Sequence, residues 1–104
     1  MKLDERITEY ANDLSYVIAS PLSKKVLNVL KLSHMTPTSI SKTLKISLSN
    51  VSTKLSELKK RGLVSCITPE RKKGRIYILT KKGKFLLEIL PNGYKIDSEL
   101  IYEG

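Results

Sequence analysis

The stretch from Leu44 to Val64, LKISLSNVSTKLSELKKRGLV, constrains this chain more than any other. Val51, Leu55 and Leu58 recur at i, i+4, i+7 behind Ser47, whose short hydroxyl suits the cap of a helix N terminus. At about 100° per residue, the opposite side of that helix collects Ser49, Thr53, Ser56 and Lys60, flanked by Asn50 and Ser52. Lys60, Arg61 and Gly62 supply the stop: cations suit the negative pole of a helix, and glycine suits the left-handed residue just beyond it. A helix over 47–60 built this way buries one narrow apolar face and leaves a short, polar, cation-tipped face outside. That face fits the major groove of a duplex, and it fits an ordinary solvated helix equally well. The flanking chain decides between them.

Charge is the first discriminator. The 104 residues carry a net +9, but the distribution is uneven. Residues 24–84 hold 16 Lys and Arg against two acids, Glu57 and Glu70, whereas residues 1–23 come to −2 and residues 85–104 to −3. A protein that is merely soluble intersperses its signs; a basic middle between acidic ends points to a polyanion partner with a separate assembly surface. No apolar run exceeds four residues, far short of the roughly 18 of a membrane span. The opening residues have no signal-peptide core, and the single cysteine, Cys66, permits neither an internal disulfide nor a cysteine cluster, so a cytoplasmic location is expected.

From the start of the chain, Leu3, Ile7, Tyr10, Leu14 and Val17 form an a/d stripe over two heptads, on a helix of about 16 residues. The stripe serves either a partner subunit, which is the preferred expectation, or the chain's own core. Ser20-Pro21 pairs a cap hydroxyl with proline at the first helical position and opens a core helix over 21–32, with Leu22, Val26, Val29 and Leu30 inward. Thr36-Pro37 repeats the signal for a helix to about Lys45, with Ile40 and Leu44 inward. The connector from Leu32 to Met35 has room for one small strand. Leu63 to Thr68 and Arg75 to Thr80 are β-branched and apolar, and the loop PERKKG (Pro69 to Gly74) joins them as a hairpin with a strongly basic tip. Like charges as dense as Arg71, Lys72, Lys73 and Arg75 repel one another, which again favours a polyanion. Thr80 then caps a helix with Phe85, Leu86, Ile89 and Leu90 inward, stopped by Pro91-Asn92-Gly93, and the tail from Tyr94 to Gly104 stays unassigned.

The segments SPLSKKVLNVL (Ser20 to Leu30), TPTSISKTLKIS (Thr36 to Ser47), LSNVSTKLSELKKRGLV (Leu48 to Val64) and RIYILTKKGKFLL (Arg75 to Leu87) follow one another in this order. With their V-S-x-x-L-x-x-L-x-x-x-G-L-V and Y-x-L-T-x-x-G runs, they resemble the ArsR-like and MarR-like transcriptional regulators, particularly the small archaeal ones. The fold that this implies is a winged helix-turn-helix, mainly α with a small β-hairpin wing (α+β). It divides the chain into an N-terminal helix for dimerisation over 1–19, a DNA-binding domain over 20–90 and a C-terminal tail over 91–104. It also implies a homodimer that reads two half-sites, with 47–60 as the recognition helix in the major groove and the wing 69–75 on the backbone or minor groove.

The expected DNA-contacting residues are Thr38, Lys42, Ser47, Leu48, Ser49, Asn50, Ser52, Thr53, Lys54, Ser56, Lys60, Arg71, Lys72, Lys73 and Arg75. Leu3, Ile7, Tyr10, Leu14 and Val17 are the expected dimer interface. Three departures from the resemblance stand out. Lys45 occupies the turn where many members have glycine, Ser23 stands where ArsR-type proteins often carry arginine, and the Cys/His groups of metal-sensing members are absent. No metal site, cofactor or enzymatic role is expected, since His34, Cys66 and the few carboxylates form no pair at useful spacing. The expected partner is double-stranded DNA, and no residue names a small-molecule effector. Base reading is thinly furnished: only Asn50 can pair bidentately with adenine, and no arginine lies on the groove face. Two further readings therefore stay open, a nucleoid-type protein that coats DNA with low specificity and a winged-helix interaction module of a larger complex.

Overall fold

A computed structural model describes residues 2–90, with side chains from Tyr10 onward. The chain forms α1 (Lys2–Ala19), α2 (Pro21–Leu32), α3 (Pro37–Leu44), α4 (Leu48–Lys60), β1 (Val64–Cys66), β2 (Tyr77–Leu79) and α5 (Lys81–Ile89). Four helices begin in the same way. The hydroxyl oxygens of Ser20, Thr36, Ser47 and Thr80 each accept the amide of the residue three positions on, Ser23, Ser39, Asn50 and Gly83, at 3.0–3.2 Å. Each cap satisfies an amide that the helix itself cannot, for about 1 kcal/mol. Proline follows the cap in α2 and α3, where its missing N–H costs nothing.

α2 is the central element, packed against α1, α3, α4, α5 and β2. Val26 and Leu27 on α2 meet Ile40 of α3, Val51, Leu55 and Leu58 of α4, Leu63, and Leu86 and Leu90 at the far end, all of them essentially free of solvent. The apolar face read from the spacing of α4 is therefore the buried one. Ser23 is also fully buried, with its hydroxyl 3.0 Å from Ser20 Oγ, so this site is closed to a long basic side chain.

The turn between α3 and α4 is tight. Lys45 is left-handed (φ 60°, ψ 46°), its amide bonds to Ser41 O, and Ser41 Oγ donates to Ile46 O at 2.6 Å. Lysine in that region costs on the order of 1 kcal/mol relative to glycine, so two local hydrogen bonds hold a conformation that the residue itself disfavours. Gly62, at φ 78°, closes α4 as its spacing from Leu58 predicts.

β1 and β2 pair antiparallel, Val64 with Leu79, Ser65 with Ile78 and Cys66 with Tyr77. These strands are shorter than the expected 63–68 and 75–80. The flanking contacts persist without regular pairing: Ile67 N donates to Ile76 O, Thr80 N to Leu63 O, and Ile76 N to the Thr68 side chain, which takes the place of a backbone partner. The connector adds a single antiparallel bridge between Met35 and Tyr77 in place of a full strand. Ile89, expected inward, is 40% exposed, whereas Leu90 just beyond the helix end is buried as expected, and Leu87 is buried as well. The helix ends at Ile89, so backbone that turns extended at Leu90 redirects the chain toward the core.

The described part of the amino-terminal stripe, from Tyr10 onward, packs within the chain. Val17 is completely buried in the domain core, Leu14 and Tyr16 pack beside it, and Tyr10 meets Phe85 edge to face at 5.3 Å. Val17 therefore presents no surface to a partner. The side chains of Leu3 and Ile7 and the tail from Pro91 lie outside the described residues.

Candidate nucleic-acid interface

The cap at Ser47 and the buried stripe beneath fix the rotation of α4, which leaves Ser49, Asn50, Ser52, Thr53, Ser56 and Lys60 exposed. On one flank of α4 lies a cleft of about 510 Å³. Its walls are the start of α3 (Thr36, Pro37, Thr38), the α4 residues Leu48, Ser52 and Ser56, and the hairpin residues Lys72 to Arg75, with Leu55 and Tyr77 at the floor. Residues far apart in sequence, Thr38, Leu48, Ser52, Ser56, Lys72, Lys73 and Arg75, thus share one concavity. Ser49, Thr53 and Lys60 form the outer ridge of α4, and Asn50 lies toward its other flank by helical phase.

The hairpin tip holds its own shape. Arg71 Nη1 donates to Gly74 O at 3.3 Å, Arg75 Nε donates to Arg71 O, and Gly74 takes a left-handed φ of 67°. Both guanidiniums bond to neutral carbonyls, so their charge stays uncompensated. Among the described residues, Lys42, Lys60, Arg71, Lys72, Lys73 and Arg75 are exposed, and the ion pairs involve other cations. The amide-rich starts of α3 and α4 add the positive ends of two helix dipoles nearby.

Lys54 is arranged differently. Its ammonium donates to Tyr16 Oη at 2.6 Å and to Glu57 Oε1 at 2.9 Å, and Tyr16 in turn donates its phenolic hydrogen to Glu57. The Lys54 side chain is only 13% exposed, so its charge is engaged within the protein and not on the exposed hydroxyl face of α4. Burial pushes the ammonium down, but the bonds to Tyr16 and Glu57 outweigh it and hold Lys54 above the ordinary lysine value. The hydrogen bonds from Tyr16 and Lys54, with the lysine charge, hold Glu57 below the usual carboxylate range.

The Arg61 guanidinium carbon stacks 3.9 Å from the Tyr16 ring centroid, and Arg61 pairs with Asp13 at 2.8 Å. The other oxygen of Asp13 takes Lys82 at 2.6 Å, while Lys82 also donates to Arg61 O. Burial raises the Asp13 carboxyl, but the bonds and charges of Lys82 and Arg61 overcome that and leave it below its ordinary value. This network joins α1 to the end of α4 and the start of α5. Its members are scattered over 69 residues of sequence, from Asp13 to Lys82, and the sole sequence signal is an acid and a tyrosine beside the stripe of α1.

Elsewhere, Cys66 is buried and His34 exposed. Among the described residues, no group of His, Cys, Asp and Glu gathers to hold a metal ion, and no helix is long and apolar enough to cross a membrane.

The sequence profile of the winged helix-turn-helix family matches residues 22–98, about three-quarters of the chain. The chain belongs to the winged helix-turn-helix family. In its terms α3 and α4 are the helix-turn-helix and β1–β2 the wing. Solved structures share this winged helix-turn-helix fold at low identity. The transcriptional repressor BigR from Xylella fastidiosa has a TM-score of 0.68 at 20% identity, over 99% of this chain and 97% of that one. MarR from E. coli has 0.62 at 18%, over 96% and 87%. The adhesin competence repressor AdcR from Streptococcus pyogenes has 0.59 at 18%, over 83% and 68%. No curated protein sequence matches this winged helix-turn-helix chain.

Proposed function

We propose that this chain is a DNA-binding transcriptional regulator that acts as a homodimer, with α4 in the major groove and the wing 69–75 on the backbone and minor groove. The observation that carries the reading is the arrangement around one cleft. A helix face of short polar side chains is bracketed by exposed cations of the hairpin, Lys72, Lys73 and Arg75, that make no ion pair among the described residues. Phosphates on either side of a groove would meet Lys42, Lys60 and the wing, while Asn50 and the hydroxyls approach base edges. Two protomers would set their α4 helices about 34 Å apart to enter successive major grooves. Two repressors among the structural neighbours, BigR and AdcR, lend support to a regulatory role.

The test is duplex binding by fluorescence anisotropy as salt is raised. With six to ten phosphates neutralised per dimer, affinity falls about 10³- to 10⁵-fold between 50 and 200 mM salt. Salt-independent binding, or none at low salt, overturns the proposal. The hydroxyl-rich face of α4, without arginine, favours a second reading in which the protein coats DNA with little sequence preference. Selection from random duplexes separates the two, because a coating protein enriches no motif.

A further inference from the structure

Within the reading of α4 as a major-groove helix, on which this inference rests, the structure assigns one particular base contact. We propose that Leu48 reads thymine through its 5-methyl group. Leu48 is the first residue of α4 and is 47% exposed, whereas the other large apolar residues of the helix, Val51, Leu55 and Leu58, are at most 1% exposed. Its position has no local justification. The first turn of a helix favours proline and acidic residues, and Leu48, half exposed, is not among the apolar side chains packed on the core.

What surrounds Leu48 suggests its use. It lines the same cleft as Ser52 and the wing residues Lys72 and Lys73, so an apolar side chain at the start of the helix shares one concavity with cations able to take backbone phosphates. N-terminal residues of such helices are the ones that reach base edges. Apart from Asn50, the other exposed residues of this end, Ser49, Ser52 and Thr53, carry short hydroxyls that can either donate or accept and so discriminate little. The thymine methyl is the apolar projection of the major groove, and a branched aliphatic side chain recognises it by displacing water from both surfaces. Asn50, toward the other flank, is suited to adenine. The two residues together bias this helix toward A·T steps without any arginine.

The experiment uses the full chain. Duplexes of 30 base pairs are selected from a random pool, and the recovered sequence is resynthesised with deoxyuridine in place of thymidine, one position at a time. At one position in each half-site, loss of the methyl weakens binding about fourfold, the worth of one buried methyl. Leu48→Ala and Leu48→Gln bind the thymidine and deoxyuridine duplexes equally, with circular dichroism and thermal unfolding unchanged. Tolerance of deoxyuridine at every position, or a penalty that persists in both variants and so arises from DNA shape, overturns the proposal. So does a selection that enriches nothing while salt-dependent binding persists, an outcome that leaves the DNA-binding reading standing. Absence of duplex binding at low salt removes both.

Discussion

Replacing Gly83 by alanine sets two effects of opposite sign against each other. Gly83 lies in the first turn of α5, where alanine is favoured over glycine by about 1 kcal/mol on helix propensity alone. A Cβ at this position, however, collides with the backbone carbonyl oxygen of Leu63 and comes 2.8 Å from Leu79 Cδ1. The carbonyl cannot step aside cheaply, because it also accepts Thr80 N at 3.1 Å, and Thr80 Oγ1 donates to the adjoining Gly62 O at 2.6 Å. Relief therefore means moving α5 off the start of the hairpin. Overpacking of this kind costs about 1–3 kcal/mol, and the two strained or broken hydrogen bonds about 1 kcal/mol each. Steric cost wins, and Gly83→Ala destabilises by about 2–4 kcal/mol, a fall of roughly 10–25 °C in Tm for a domain of this size. Urea unfolding followed by circular dichroism checks it, with a lower midpoint at unchanged m-value. A variant as stable as the parent, or more so, would refute the close approach of α5 to Leu63. The same geometry accounts for the T-x-x-G run: Thr80 caps the helix on the Gly83 amide, and only glycine lets that turn sit against the chain leaving α4.

Three other outcomes are expected. Asp13→Asn lowers stability at pH 7 by about 1–2 kcal/mol, since two partly exposed cations lose their shared acceptor. Because the folded-state pKa of Asp13 lies below the unfolded value of about 3.9, its contribution is complete above that value and fades as pH falls through the folded one; the gap between parent and variant in urea unfolding accordingly narrows below about pH 4. Lys45→Gly relieves the left-handed residue of the α3–α4 turn and raises the urea midpoint by the equivalent of about 0.5–1 kcal/mol. Lys72→Ala/Lys73→Ala, at two exposed sites, leaves Tm unchanged but reduces the slope of log affinity against log salt by about 0.9 for each phosphate that is no longer neutralised.

What could be read directly from the residues was what the residues decide locally. Ser20-Pro21, Thr36-Pro37, Ser47 and Thr80 place helix starts because a hydroxyl and a free amide three positions apart need no tertiary partner. The burial of Val51, Leu55 and Leu58 followed from helical phase alone. The course of the amino-terminal stripe did not, because an a/d pattern suits its own core and a partner's equally; Val17 went to its own core. Lys54 illustrates the same limit at the site. Its helical phase puts it beside the exposed hydroxyl face, yet Tyr16, 38 residues earlier, draws its ammonium away. The expected strands were longer than the observed ones because alternation records side-chain faces, and Thr68 replaces a ladder bond with its own hydroxyl. The cleft depends on the hairpin folding back over α4, which no local pattern specifies.

The Asp13 clamp has a mechanical consequence. It anchors α4 at its C-terminal end, through Arg61, while the other end at Leu48 is held by the short turn around Lys45. α4 spans 13 residues and is therefore about 20 Å long, tied to α1 at one end. A tilt of about 10° about that end sweeps the other through about 3 Å, more than the tolerance of a hydrogen bond to a base edge. A shift of α1 reaches the Leu48 end only as far as the packing of Val51, Leu55 and Leu58 lets the whole helix tilt with it.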